Sequence, residues 1–225
     1  MADKRIQKKA VEKKTGRAAE HEQGSRRARR IVIGVCGASG IGYALHLLES
    51  LRKTGIESHV IASDWAREVL QEEEHVSIES SKALADYWYD SHDMAAAVSS
   101  SSFLVDGMVV VPATVKTVGE IAHGITSNLI SRCADNMFKM QKPLVVCIRE
   151  TPLSGPCLKN LHDLAVYGAI VMPLAPAFYH HPKSIGDLRA FMSGKIMDAL
   201  DIRHNLFLRW KCDVPRLPGK SRQGP

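Results

Sequence analysis

No stretch of this 225-residue chain is apolar for the roughly 18 residues that a membrane-spanning helix needs, so a span is excluded. It also has little cysteine: five residues, Cys36, Cys133, Cys147, Cys157 and Cys212, an odd number with no C-x-x-C pair. That usage excludes a disulfide framework and a thioredoxin-type redox motif, and Cys36 and Cys147 sit inside apolar runs. Small buried thiols in a reduced, cytoplasmic protein account for the pattern. No His/Cys cluster has zinc spacing, because His180 and His181 are adjacent rather than separated by a helical turn; no metal is expected. No internal repeat is visible.

An excess of charge of one sign is lacking outside the first 30 residues. The formal net charge is +6, but residues 1–30 carry 11 Lys+Arg against 4 Asp+Glu. The remainder holds 30 − 11 = 19 basic and 24 − 4 = 20 acidic residues, a net of −1. The basicity therefore belongs to an extension, expected to be disordered or loosely helical. The body gives no electrostatic case for nucleic acid. Residues 213–225, with three of the ten prolines, read as a frayed end, which leaves 31–212 as one domain of ordinary size.

Within that domain, short apolar runs alternate with helical patterns. Strands are predicted at Ile31–Cys36, Ser58–Ala62, Met108–Val111, Leu144–Ile148 and Ala169–Met172. Several are apolar throughout, as strands covered on both faces are. Ile41, Ala44, Leu45, Leu48 and Leu51 recur at helical spacing before Gly55. Further helices are predicted over Asp64–Glu74, Thr117–His123, Ser127–Met140, Leu158–Tyr167 and Ser184–Leu200. The alternation implies a single α/β domain of Rossmann-like or flavodoxin-like type, a parallel sheet with helices on both faces. In such sheets, the loops after the strands meet at one edge, where ligands bind.

Five of those loops carry chemistry. Gly37-Ala38-Ser39-Gly40-Ile41-Gly42 joins strand to helix and lets backbone approach a phosphate or cofactor. Ser63 can cap the following helix or touch a ligand, and both roles stay open. Pro112-Ala113-Thr114-Val115-Lys116-Thr117 offers two hydroxyls and an amine to an anion or flavin ring, or else Thr simply caps a helix. Arg149-Glu150-Thr151-Pro152-Leu153 puts a cation, an acid and a rigid turn at a strand mouth. An Arg there grips phosphate through its planar fork, and a Glu beside it can move protons. Tyr179, in Ala177-Phe178-Tyr179-His180-His181-Pro182, can donate to a phosphate oxygen. Together this is more polar investment than stability needs.

These residues, in this order, resemble the flavin prenyltransferase family, flavoproteins related to the small subunit of phenolic-acid decarboxylase systems. The likeness runs from about Ile31 to Trp210. It rests on Gly37-Ala38-Ser39-Gly40, Asn128-Leu129-Ile130-Ser131-Arg132-Cys133-Ala134-Asp135, Arg149-Glu150-Thr151-Pro152-Leu153 and Ala177-Phe178-Tyr179-His180. The resemblance implies a homo-oligomer, in relatives a dodecamer, that joins the dimethylallyl group of dimethylallyl phosphate to N5 and C6 of reduced FMN. The prenylated FMN then serves a partner decarboxylase.

By position, the resemblance implies FMN contacts from Gly37, Ala38, Ser39, Ser63, Thr114, Val115, Lys116, Thr117 and Arg149. It implies a phosphate grip from Lys139, Tyr179 and Lys195 with Arg149, and proton handling by Ser39 and Glu150. Glu73, Arg132 and Trp210 are supporting site residues on the same basis. Four positions depart from the family pattern: Thr114 replaces a usual Ser, Lys195 a usual Arg, Ala113 a frequent Cys, and Asp93 a Trp found in some relatives.

Three other readings compete. A short-chain NAD(P) oxidoreductase is opposed by Pro182 inside the Tyr179–Lys183 run, which a catalytic helix would not tolerate. An FMN-dependent cysteine-type decarboxylase of the same fold lacks support from a Pro-Ala-Ser-Ala-Asn-Thr-like run. A non-catalytic flavin-binding protein would keep the fold without the reaction.

Overall fold

A computed structural model describes residues 27–210; most of the basic extension, Cys212 and the 213–225 end lie outside the described residues. The chain runs β1 (Arg30–Val35), α1 (Gly42–Arg52), β2 (Glu57–Ala62), α2 (Asp64–Glu74), α3 (Ile78–Lys82) and β3 (Tyr87–Asp90). After a 3₁₀ turn at Ala97–Ser99 come β4 (Gly107–Ala113), α4 (Val115–Ala122), α5 (Leu129–Lys139) and β5 (Leu144–Ile148). The chain closes with α6 (Gly155–Val166), β6 (Ile170–Val171) and α7 (Ile185–Ala199). All six strands are parallel, in the order β3-β2-β1-β4-β5-β6.

The five predicted strands are present, and β3 is an addition. Its Tyr87-Trp88-Tyr89-Asp90 run is only four residues long and pairs on one side, with β2, so it carries no buried apolar run of the kind that marks the others. The short α3 was likewise not foreseen. Helix starts lie at their caps: Thr114 Oγ1 accepts from Thr117 N at α4, Asn128 and Ser131 form a reciprocal capping box at α5, and Ser154 caps α6, which begins at Gly155, three residues before the predicted start.

Strand burial explains the apolar runs. Ile31, Ile33 and Val35 point to the face covered by α1, α2 and α7, whereas Val32 and Cys36 point to the face under α4, α5 and α6. Burying each large aliphatic side chain contributes roughly 1.5–3 kcal/mol, so two apolar layers hold the sheet rigid. That rigidity matters because every candidate loop hangs from a strand end.

From β1, the chain proceeds outward through β2 and β3, then returns to β4 and proceeds the other way. The turning point lies between β1 and β4, and their carboxyl ends frame a crevice. Cys36 N donates to Pro112 O at 3.2 Å one residue beyond β1, so the two strands stay together up to the rim.

Candidate active site

At the carboxyl end of β1, the glycine loop is pressed against the start of α2. A Cβ on Gly37 would sit 2.3 Å from that of Trp65, so this position takes no side chain without displacing the helix. The loop is held from the side by α2: Glu73 Oε2 accepts from Gly40 N (2.8 Å) and from Ile41 N (3.2 Å). Both N–H groups precede α1, so the carboxylate holds the turn of the loop and leaves the N–H groups of the helix itself out of this contact. Next to Glu73, Glu74 takes a two-point pair from Arg189 of α7 at 3.0 and 2.5 Å. Sequence reading missed Arg189, since nothing in the pattern tells which helix faces which.

Across the crevice, Thr114 and Thr117 begin α4. Their hydroxyl oxygens are 3.0 Å apart, and Thr117 Oγ1 is 3.3 Å from Cys36 Sγ, which stitches β1 to α4. Burial pushes the Cys36 thiol up, with the Thr117 contact opposing it, so the thiol stays protonated and structural. Thr114 caps the helix, its Oγ1 accepting from Thr117 N at 3.2 Å, and Lys116 pairs one turn on with Glu120 at 3.5 Å. The α4 N–H groups of Val115 and Lys116 precede the capped one.

Ser63 occupies the N-cap position of α2 in extended backbone, but its side chain makes no cap hydrogen bond. The capping role weighed for it is not realised, which leaves the hydroxyl for other work. It borders a cleft of about 270 Å³ shared with Asp64, Arg67, Trp88 and Asp90. Nearby, Asp64 Oδ2 lies 2.9 Å from His92 Nε2, and that hydrogen bond pushes the His92 imidazole up.

Beyond β5, Arg149 Nε donates to the Ser39 carbonyl oxygen at 3.0 Å, joining the first and fourth candidate loops. Glu150 is exposed, and its Oε1 accepts from Thr151 N at 2.9 Å. Burial first, then the charge of Glu150, pushes up the Cys157 thiol at the head of α6. The last strand continues past its formal end: Met172 N donates to Val146 O and Leu174 N to Ile148 O. The Tyr179 loop thus leaves the sheet beside Arg149. Tyr179 sits edge-on to Phe191 (5.9 Å) and Trp210 (5.3 Å).

One rim thus gathers Gly37, Ala38, Ser39, Ser63, Thr114, Val115, Lys116, Thr117, Arg149 and Glu150, with the Tyr179 loop beside them. One predicted phosphate ligand is not brought there within the protomer. Lys139 ends α5 and pairs with Asp135 of its own helix. It precedes β5, whereas Arg149 follows it, so about 17 Å of strand separates them. Lys195 is exposed on α7, one turn beyond Phe191, which packs on Tyr179. Arg132 is in the first turn of α5, where its Nε donates to Ser99 O at 3.0 Å, close to the loop after β3, since Leu129 N donates to Ser91 O.

With this geometry in hand, comparison with known proteins is decisive. The flavoprotein family model matches residues 19–197. The chain is 48% identical over 186 residues to flavin prenyltransferase LpdB of Lactiplantibacillus plantarum, covering 82% of this chain and 100% of that protein. The chain belongs to the flavin prenyltransferase family.

Two solved members of this flavoprotein group agree in fold. AnUbiX (PadA1), crystallised in complex with FMN and dimethylallyl pyrophosphate, is similar at 41% identity and a TM-score of 0.80, over 82% of this chain and 98% of its own. A dodecameric FMN-dependent Ubix-like decarboxylase from Escherichia coli O157:H7 is similar at 35% identity and a TM-score of 0.79, over 80% and 98%. The family's fold is the doubly wound sheet described above.

Proposed function

We propose that this chain transfers the dimethylallyl group of dimethylallyl phosphate to N5 and C6 of reduced FMN, and that the product passes to a partner decarboxylase. The observation that carries the reading is the bond from Arg149 to the Ser39 carbonyl, because it puts a fixed cation, the adjoining Glu150 and the glycine loop at one crevice. Similarity to LpdB along the whole of that protein supports it. The rim suits a planar, phosphate-bearing flavin. Gly37 permits close backbone approach, the hydroxyl of Ser63 is not used in capping, and Arg149 supplies charge.

When bound, reduced FMN supplies the nucleophilic N5 and C6 positions. The chain's task is to ease departure of phosphate, which leaves with the electrons of the broken C–O bond. Arg149 and Tyr179, with Lys139 and Lys195, neutralise that charge as it develops. Glu150 takes the ring proton lost when the second bond forms, and Ser39 relays protons beside it. Phe191, buried beside Tyr179, keeps water from that side of the ring, where it would otherwise capture an allylic cation. Lys195 in place of Arg contributes a point charge rather than a fork.

Because Lys139 lies at the far end of β5, it can serve this grip only from a second copy. We therefore read the working form as a homo-oligomer, as in the dodecameric E. coli relative. The free, buried Cys36, Cys133, Cys147 and Cys157 fit a reducing cytoplasm. Incubation without oxygen, with FMN, a reductant and dimethylallyl phosphate, tests the reading. Inorganic phosphate should appear only when protein and reduced FMN are both present. Release at the same rate without FMN would reject it.

A further inference from the structure

The chain after α7 folds back over that helix. Asp198 Oδ1 accepts from His204 Nε2 at 3.0 Å and from Arg209 Nη2 at 2.6 Å, and its Oδ2 accepts from Arg209 Nη1 at 2.9 Å. One carboxylate thus takes a forked guanidinium and an imidazole, the geometry in which such bonds are strongest. Arg209 also lies over the Phe207 ring at 5.4 Å. Phe207 packs on Phe191 at 4.8 Å, and both Phe207 and His204 lie so close to α7 that a Cβ on Gly194 would meet them at 2.5 and 2.6 Å. The residue after Arg209 is Trp210, whose ring meets Tyr179 edge-on at 5.3 Å.

We propose that Asp198 is a positioning residue for the prenyl-donor site: through Arg209 and His204 it clasps the 203–210 segment onto α7 and so fixes Trp210 against Tyr179. This rests on the reading above, in which Tyr179 binds the phosphate of the donor. Asp198 itself touches neither substrate. A Tyr hydroxyl serves developing charge only if its ring is already aimed, and a ring framed by Phe191 and Trp210 has little freedom to turn. Without the clasp, Trp210 is held less firmly, and donor binding must order both rings.

The test uses the full-length chain with Asp198→Asn and Arg209→Gln, and Asp198→Glu as the conservative rescue. Phosphate release gives kcat and KM for dimethylallyl phosphate, and fluorescence quenching gives the FMN dissociation constant. For Asp198→Asn and Arg209→Gln, we expect the donor KM to rise about tenfold, with kcat and FMN affinity changed by less than about twofold. Asp198→Glu should recover most of the loss. An unchanged KM, or an equal loss of FMN and donor affinity, would overturn the proposal.

A second readout does not depend on turnover. With Trp65→Phe and Trp88→Phe, Trp210 is the one tryptophan left of three. Trp210 is already 64% exposed, so the readout is mobility: Asp198→Asn in that background should lower the anisotropy of its emission as the indole leaves Tyr179, and identical anisotropy would overturn the clasp. If the unaltered protein released no phosphate yet the anisotropy fell, the prenyl-transfer reading would fail while the clasp itself stood.

Discussion

Arg149 Nε and the carbonyl oxygen of Ser39 are 3.0 Å apart, although 110 residues of chain separate them. This bond anchors the cation of one strand end on the backbone of another, across the place where the sheet changes direction. Removing it should loosen flavin binding more than the fold, because Arg149 is only half-buried. Hydrogen bonds from charged groups contribute about 1.5–3 kcal/mol, so Arg149→Ala should weaken FMN binding roughly 10- to 100-fold by fluorescence titration. Unaltered binding would remove Arg149 from the flavin site.

Glu150 separates binding from chemistry. Its carboxylate lies at the rim, bonded to Thr151 N, and Gln keeps that acceptor while losing the ability to take a proton. Glu150→Gln should bind FMN normally and lose about 10²- to 10⁴-fold in turnover. Full activity in this variant would reject Glu150 as the proton carrier.

The placement of Lys139 predicts complementation. Lys139→Ala and Arg149→Ala should each be inactive alone. When the two are unfolded together and refolded as mixed assemblies, about a quarter of sites should combine an intact Lys139 from one copy with an intact Arg149 from another. Activity no higher than that of either parent would show that sites are not shared between copies.

One buried and one half-buried imidazole, His59 and His46, predict the pH response of stability. His59 donates from Nε2 to Glu57 (2.8 Å) and accepts the Tyr89 hydroxyl at Nδ1 (2.9 Å), the arrangement of a neutral ring. Burial holds His59 and His46 below the usual 6.5. The folded values are depressed, so the unfolded chain takes up these protons first. Stability from both groups is complete above 6.5 and declines as pH falls toward the folded values, by at most about 1.4 kcal/mol per pH unit for each ring. Urea midpoints from about pH 7.5 down to about pH 5.5 should fall, and His59→Gln should flatten the slope. An unchanged slope in that variant would exclude His59 as a contributor.

The sheet was legible because its buried strands leave apolar runs, and β3 was not because Tyr87-Trp88-Tyr89-Asp90 is a half-exposed edge. The rim could be read from the loops, since parallel topology brings strand ends together whatever the side chains. What linear pattern could not reveal was pairing between segments distant in the fold: Glu73 on the glycine loop, Arg189 on Glu74, and Arg209 on Asp198. Nor could it give the distance of Lys139 from Arg149, which depends on the direction in which α5 runs. The family resemblance supplied Lys139 as a ligand, and the protomer alone does not deliver it.

The most direct measurement is the mass of the flavin extracted after anaerobic incubation of the full chain with FMN, a reductant and dimethylallyl phosphate. A flavin heavier by one five-carbon prenyl unit, formed only with active protein, is the predicted result. Recovery of unmodified FMN from protein that demonstrably binds it would contradict prenyl transfer at this rim.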